Sequence, residues 1–241
     1  MRRKVADMAH RLLPTTAALA ALAAALTACG GDGGGPAEPA RATGRAALAG
    51  TGYTSDQLKE ALLRELPGYQ RAGEPDSGEY GTRKAIQNFE QLQREVQLDK
   101  KSCAAVQAGQ KVDKSIPAAL ATFSKGGSQY VTETLMAMPD DDAEQQVKAR
   151  VPAGCQTFRT RVGAQWSEHT VVEPPPGTIG AGSRTVGVTT TTGGSNTRTW
   201  YVVLRGRRYL ATISLYGPTA TRAEAEGLAR QAHEQAQRIL P

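Results

Sequence analysis

The hydrophobic pattern divides the chain into four regimes. Residues 1–11 are polar and basic, residues 12–28 are mostly Leu and Ala without charge, and residues 30–50 (GGDGGGPAEPARATGRAALAG) carry no apolar period. From Tyr53 onward apolar positions recur with helix or strand spacing. Thr54 and Gln57 fit a capping box, Tyr53 can staple against Leu58, and Leu58, Ala61, Leu62 and Leu66 share a helical face that Pro67-Gly68 ends. A second helix is expected over residues 82–98, with Ile86, Phe89, Leu92 and Val96 on one face. A hairpin follows: Ala118–Ser124, a Lys125-Gly126-Gly127-Ser128 turn, then Gln129–Met138, where Tyr130, Val131, Thr132 and Thr134 favour strand.

Pro139 breaks that strand, and Asp141 with Glu144 predicts a capping box opening a helix toward Arg150. Pro152 and Gly154 stop it before Cys155, and residues 156–163 read as a strand. Glu168-His169, beside Trp166, falls in an expected loop, and Pro174-Pro175-Pro176-Gly177 marks another. Three strands are expected at Thr185–Thr192, Thr197–Leu204 and Tyr209–Tyr216, joined by Gly193-Gly194-Ser195-Asn196 and Arg205-Gly206-Arg207-Arg208. A last helix is capped by Thr221 and Glu224, with Ala225, Leu228, Ala229, Ala232, Ala236, Ile239 and Leu240 as its apolar stripe. Hairpins outnumber any βαβ pattern, so the expected fold is α+β: one domain with a mainly antiparallel sheet and helices on one face.

The first two regimes predict a destination. A basic start and an apolar run fit a signal peptide over residues 1–28. Residues 12–28 would span about 25 Å as a helix, short of the roughly 30 Å hydrocarbon core. The run stops at Leu26-Thr27-Ala28-Cys29-Gly30, which resembles the bacterial lipobox. That resemblance implies diacylglycerol on the Cys29 thiol and cleavage before it. Each buried methylene contributes about 0.8 kcal/mol, so two or more chains anchor firmly. Residues 29–52 are then lipidated cysteine plus flexible tether, and 53–241 the extracytoplasmic domain. The expected location is the outer face of the cell membrane; Arg2-Arg3 leaves Sec and twin-arginine export both open.

Charge changes the picture little. The leader holds Arg2, Arg3, Lys4 and Arg11 against Asp7, leaving the mature chain about half of the formal +6. No basic stripe is interleaved with aromatics, so nucleic acid is not an expected partner. Two cysteines, Cys103 and Cys155, remain in a compartment that permits oxidation. A disulfide between them is expected, closing a loop worth roughly 4 kcal/mol in the chain-entropy model. Two separate buried thiols are the alternative, and the absence of CxxC argues against a redox-active pair.

The order of elements resembles the extracellular sensor domain of the mycobacterial PknH-type serine/threonine kinases, a family that also includes actinobacterial lipoproteins. The likeness spans residues 54–240. It rests on the Leu58-to-Gly68 segment, on Cys103, on the hairpin leading to a helix and Cys155-Gln156-Thr157-Phe158, and on the closing strand pair with its terminal helix. Two departures stand out. A tryptophan usual near the second cysteine is missing, Trp166 lying later, and the cysteines for a second disulfide are missing too. The resemblance implies a sheet-and-helix domain with a cleft for an unidentified ligand. No kinase motif is present, so any signalling would run through a partner.

Catalytic signals are sparse. His233-Glu234 starts like a zinc-protease helix, but position 237 is Gln. Asp140-Asp141-Asp142 with Glu144 lacks the spacing and glycine of a calcium loop and fits helix-dipole stabilisation. Gly180-Ala181-Gly182 lacks the third glycine of a dinucleotide loop, with Thr185 in its place. Arg205, Arg207 and Arg208 form a basic turn, with Arg198 on the adjoining strand, and read as a solvated turn or a contact for anionic envelope polymers. No enzyme activity, metal or cofactor is expected. The leading expectation is a membrane-anchored binding module for a small-molecule or envelope ligand. A protein–protein adaptor, with a membrane protein among its partners, is the alternative, and a serine hydrolase using His169 or His233 stands third.

Overall fold

The structure, a computed structural model, describes residues 52–104, 106 and 112–240. The readings placed on the leader, on Cys29 and on most of the tether lie outside the described residues. Among those described, no helix is long and apolar enough to cross a membrane.

Ten strands form one antiparallel sheet: β1 (Gln70–Arg71), β2 (Asp76–Glu79), β3 (Gln97–Leu98), β4 (Pro117–Lys125), β5 (Gln129–Ala137), β6 (Thr157–Val162), β7 (Gln165–Val172), β8 (Ser183–Thr192), β9 (Ser195–Arg205) and β10 (Tyr209–Gly217). Their order is β1-β4-β5-β10-β9-β8-β7-β6-β3, and β2 also pairs with β4. Among the described residues the helices with full bounds are α1 (Ser55–Ala61), α2 (Lys84–Glu95), α3 (Asp140–Lys148) and α4 (Arg222–Ile239). Hairpins carry the sheet, as the turn signals require. Gly193 and Gly194 both have positive φ, 56° and 83°, in the two-residue turn between Thr192 and Ser195.

Because successive strand residues point to opposite faces, the register sorts the sheet into two surfaces. The first buries Ala119, Ala121 and Phe123 of β4, Val131 and Leu135 of β5, Ile213 and Leu215 of β10 and Leu204 of β9. α1 contributes Leu58 and Ala61 to this core, and α4 contributes Ala225, Leu228, Ala229, Ala232 and Ala236. Alanines let α4 lie close to the sheet. α3 packs on the other surface, with Ala143 and Val147 against Ala118, Met136, Val203 and Leu210. The helices are therefore not confined to one face: α1 and α4 share one and α3 takes a corner of the other.

Three local expectations shift. The capping box of α1 is present, with Gln57 N–H donating to Thr54 Oγ1 at 3.2 Å and Thr54 N–H to Gln57 Oε1 at 2.9 Å. The helix nevertheless ends at Ala61, before Pro67-Gly68, because Leu62 turns extended (φ −63°, ψ 153°). Running extended, the chain buries Leu62, Leu63 and Leu66 and frees backbone groups for partners in β5 and β1. In α3 the cap position is Pro139 and no side chain caps it. Asp141 sits inside the first turn, where carboxylates favour the dipole, and Asp140 Oδ1 accepts Arg208 N–H at 2.7 Å. β7 occupies the stretch read as a loop around His169.

α2 joins the two edges of the sheet. It follows a short 3-10 turn at Tyr80–Thr82, after β2 on the β4 edge, and leads into β3 on the β6 edge. Tyr80 packs with the α3 cluster and Leu98 with the Phe158 cluster, both on the second face. No α2 residue is buried, and Phe89 and Leu92 are 44% and 61% exposed.

Candidate functional site

The second face of the sheet, away from α1 and α4, carries a band of hydroxyls and tyrosines between α3 and the disulfide. The register places Leu120, Thr122 and Ser124 of β4, then Tyr130, Thr132 and Thr134 of β5, on this surface. Thr212, Ser214 and Tyr216 of β10 continue it, followed by Thr199 and Tyr201 of β9. Tyr216 lies directly opposite Tyr130, their ring centroids 6.3 Å apart and tilted by 43°. Tyr201 stands opposite Ser214, one strand over and diagonal to Tyr216. All three tyrosines are exposed, at 39–42%, although the hydroxyl end of Tyr201 is desolvated beside Thr199, which pushes its pKa up. The hydroxyls of Thr122, Thr132, Thr134, Thr212 and Ser214 are half-buried and bond no other side chain among the described residues.

Along β4, β5 and β10 the same alternation turns charged side chains to the other face. Glu133 of β5 points into the first-face core. Lys125 also lies on the first face, over the Tyr69 ring at 5.4 Å. On the second face Arg184 and Arg205 lie at the α3 end, where Arg184 donates to Glu173 Oε1 at 2.6 Å, and Arg83 lies over β2, paired at 2.6 Å with Asp76, the register partner of Leu120.

On the first face, beside the start of α4, Val172, Gly187, Thr189, Arg198, Trp200 and Arg222 line a recess of about 330 Å³. Two of its polar groups are engaged in α4. Arg222 donates to Glu226 at 2.7 Å, and Thr221 Oγ1 accepts the Glu224 N–H that caps α4. A second recess of about 270 Å³ lies between Arg64–Tyr69, Arg71 and Phe123.

Cys103 and Cys155 are joined by a disulfide, with Cα atoms 5.5 Å apart. It ties the segment after β3 to the loop before β6 and is buried with Phe158 and Val171. Lys100 Nζ reinforces the tie by donating to the carbonyls of Gly154 and Thr157.

The remaining candidates are structural. His169 is buried, stacked on Phe158 at 4.8 Å, with Nε2 2.7 Å from Thr160 Oγ1 and Nδ1 3.0 Å from Thr190 Oγ1. It is no loop residue. Desolvation holds its pKa below the ordinary histidine value. His233 meets the Tyr209 hydroxyl at 2.8 Å through Nδ1, and desolvation lowers its pKa as well. The two imidazoles sit on opposite faces of the sheet, His169 with Phe158 and His233 with Tyr209. Arg198 does lie on the adjoining strand, but at its far end, opposite Gly217, while Arg205 pairs with Leu210 near the turn. The basic turn therefore holds Arg205, Arg207 and Arg208 without Arg198. Among the described residues no group of three His, Cys, Asp or Glu could hold a metal.

The tyrosine surface escaped sequence reading. A period-2 alternation within each strand was visible, but the register that sets Tyr130, Tyr216 and Tyr201 side by side comes from pairings across the sheet.

No family model and no curated protein matches the chain. Among solved structures it is similar to the extracellular domain of PknH from Mycobacterium tuberculosis, at 13% identity and a TM-score of 0.51, covering 78% of this chain and 98% of that one. An uncharacterized protein from Mycobacterium smegmatis is similar at 13% identity and a TM-score of 0.48, covering 76% and 97%. Identity at this level speaks of the fold alone. The described domain has the α+β fold of the PknH extracellular domain, the likeness that the order of its elements suggested.

Proposed function

We propose that this chain is a lipoprotein held at the extracytoplasmic face of the cell membrane by acyl chains on Cys29, and that its folded domain is a sensor-like, non-catalytic ligand-binding module. One observation carries the binding reading: three exposed tyrosines set side by side with several unengaged hydroxyls on one face of the sheet, with no charged side chain between them. Stable cores do not require such a surface, and rigid aromatic rings beside hydroxyl groups are effective contact groups. The fold of an extracellular domain and a buried disulfide support an oxidising compartment. The leader, the small residues before Cys29 and the glycine-rich tether support the anchor.

Two measurements test this. Mass spectrometry of the natively purified chain is expected to find a mature N-terminus at Cys29 carrying acyl mass, and Cys29→Ser to release the protein from membranes. Thermal unfolding of the lipidated chain in micelles, screened against fractions of envelope extract, is expected to show at least one fraction that raises Tm. A screen in which no fraction raises Tm overturns the binding module.

A second reading has its own support. Phe89 and Leu92 on α2 are 44% and 61% exposed, which favours contact with a protein partner in envelope assembly or signalling. Crosslinking on intact cells from a residue on α2, with Phe89→Ser and Leu92→Ser as controls, tests it. A partner lost in those variants supports the adaptor, and unchanged crosslinks remove it.

A further inference from the structure

We propose that the tyrosine surface binds a neutral oligosaccharide, with Tyr130, Tyr201 and Tyr216 as stacking rings and Thr132, Thr134 and Ser214 as hydroxyl partners. This rests on the ligand-binding reading above and names its chemistry.

The composition of the surface decides between ligand classes. β5, β10 and β9 present rings and hydroxyls around the tyrosines on this face, with the Arg184–Glu173 pair and Arg205 set apart at the α3 end and the Arg83–Asp76 pair set apart on β2, beyond Leu120. An anionic ligand would give up its hydration and find no cation among the tyrosines. An acyl chain would cover the hydroxyls of Thr132, Thr134 and Ser214 and leave them without partners. A sugar satisfies both halves of the surface. Its C–H faces lie against phenol rings, and its hydroxyls both donate and accept, as threonine and serine do.

Geometry agrees. The three rings sit on neighbouring strands, so they spread over about 10 Å, enough for more than one sugar ring. Tyr130 is fixed by donating its hydroxyl to Gly127 O at 3.0 Å, and it meets Tyr216 at a tilt of 43°, a shallow angled seat. Backbone pairing holds all three tyrosines in register, so little ordering cost falls on binding.

The test uses the full lipidated chain in micelles. Linear neutral hexasaccharides of glucose, mannose and arabinose are titrated by saturation-transfer NMR, beside a uronic-acid hexasaccharide and decanoate. Binding of at least one neutral sugar is expected, weakened about tenfold or more by Tyr201→Ala. Tyr216→Ala is the second variant should Tyr201→Ala fail to fold, and Tyr216→Phe should retain binding. Neutral sugars that do not bind the folded protein overturn the proposal, as does equal or tighter binding of the uronate or of decanoate. The envelope-fraction screen separates the failures. A fraction that raises Tm through a component other than a neutral saccharide sinks the sugar and leaves the module, whereas silence from every fraction sinks both.

Discussion

The carboxylate of Glu133 and the backbone amide of Leu63 meet in the main core, Oε2 accepting the Leu63 N–H at 2.8 Å. Glu133 is fully buried and its Oε1 has no partner among the described residues. Burial pushes this carboxyl up to about 8, against smaller opposing effects of the Leu63 N–H and the Arg71 charge. The raised value fixes the sign of a pH dependence. Between the ordinary carboxylate value of about 4.5 and about 8, the folded protein keeps a proton that the unfolded chain has released. Stability from this group is therefore greatest in acid, declines as pH rises through that window, and is level above it. Urea unfolding near pH 5 and near pH 9 should show the decline, and Glu133→Gln, which can still accept from Leu63, should flatten it. Glu133→Leu should cost about 1–3 kcal/mol by leaving the Leu63 N–H unpaired.

His169 gives the opposite slope. Desolvation lowers its pKa, so below the ordinary histidine value the unfolded chain takes up a proton that the folded ring resists. The stability it contributes is present above about 6.5 and is lost as pH falls below it. His169→Phe keeps a ring on Phe158 and removes the titration, so its unfolding free energy should lose this acid-side decline. At neutral pH the variant should be about 1–3 kcal/mol less stable, since the Thr160 hydroxyl loses its partner in a buried position. An unchanged acid limb in His169→Phe would place the proton uptake elsewhere.

What the sequence disclosed follows the range of the interactions. The box at Thr54 and Gln57, the cap at Thr221 and the Gly-rich turns act within four residues, so their signals sit in adjacent letters. Glu133 looked like one more polar residue in a Thr-rich strand, because its partner is 70 residues away. His169 was missed because β7, QWSEHTVV, buries polar side chains that are satisfied by Thr160 and Thr190 on neighbouring strands. The cysteines were legible by chemistry, compartment and count rather than by distance. The tyrosine surface and the two-sided placement of the helices needed a register that no single strand encodes.

Reducing the disulfide should loosen one end of the sheet. Cys103 and Cys155 are 52 residues apart, so the closed loop stabilises by about 4 kcal/mol if the unfolded chain is unstructured. The Cys103→Ala/Cys155→Ala protein should unfold at markedly lower urea, and the wild type should shift the same way in a reducing agent. Amide exchange should rise first in β3 and β6, whose pairing the bond braces. Identical unfolding of the oxidised and reduced forms would remove the bond from the account of stability.

Gly187 and Trp200 supply a test of which face binds. They are register partners on β8 and β9, and a Cβ on Gly187 would stand 2.7 Å from the Trp200 ring. The indole can lie across the strand only because no side chain stands there. Gly187→Ala must move it, at a cost of about 1–3 kcal/mol for an overpacked site. In a Trp166→Phe background the displaced Trp200 should shift its emission, which reports the recess directly. Trp200 and the tyrosines are on opposite faces, since Trp200 opposes Leu215 while Tyr201 opposes Ser214. If the tyrosine surface is the ligand site, Gly187→Ala should change the emission and the Tm yet leave the ligand-induced rise in Tm intact. If that rise disappears while Tyr201→Ala retains it, the ligand belongs in the recess beside α4.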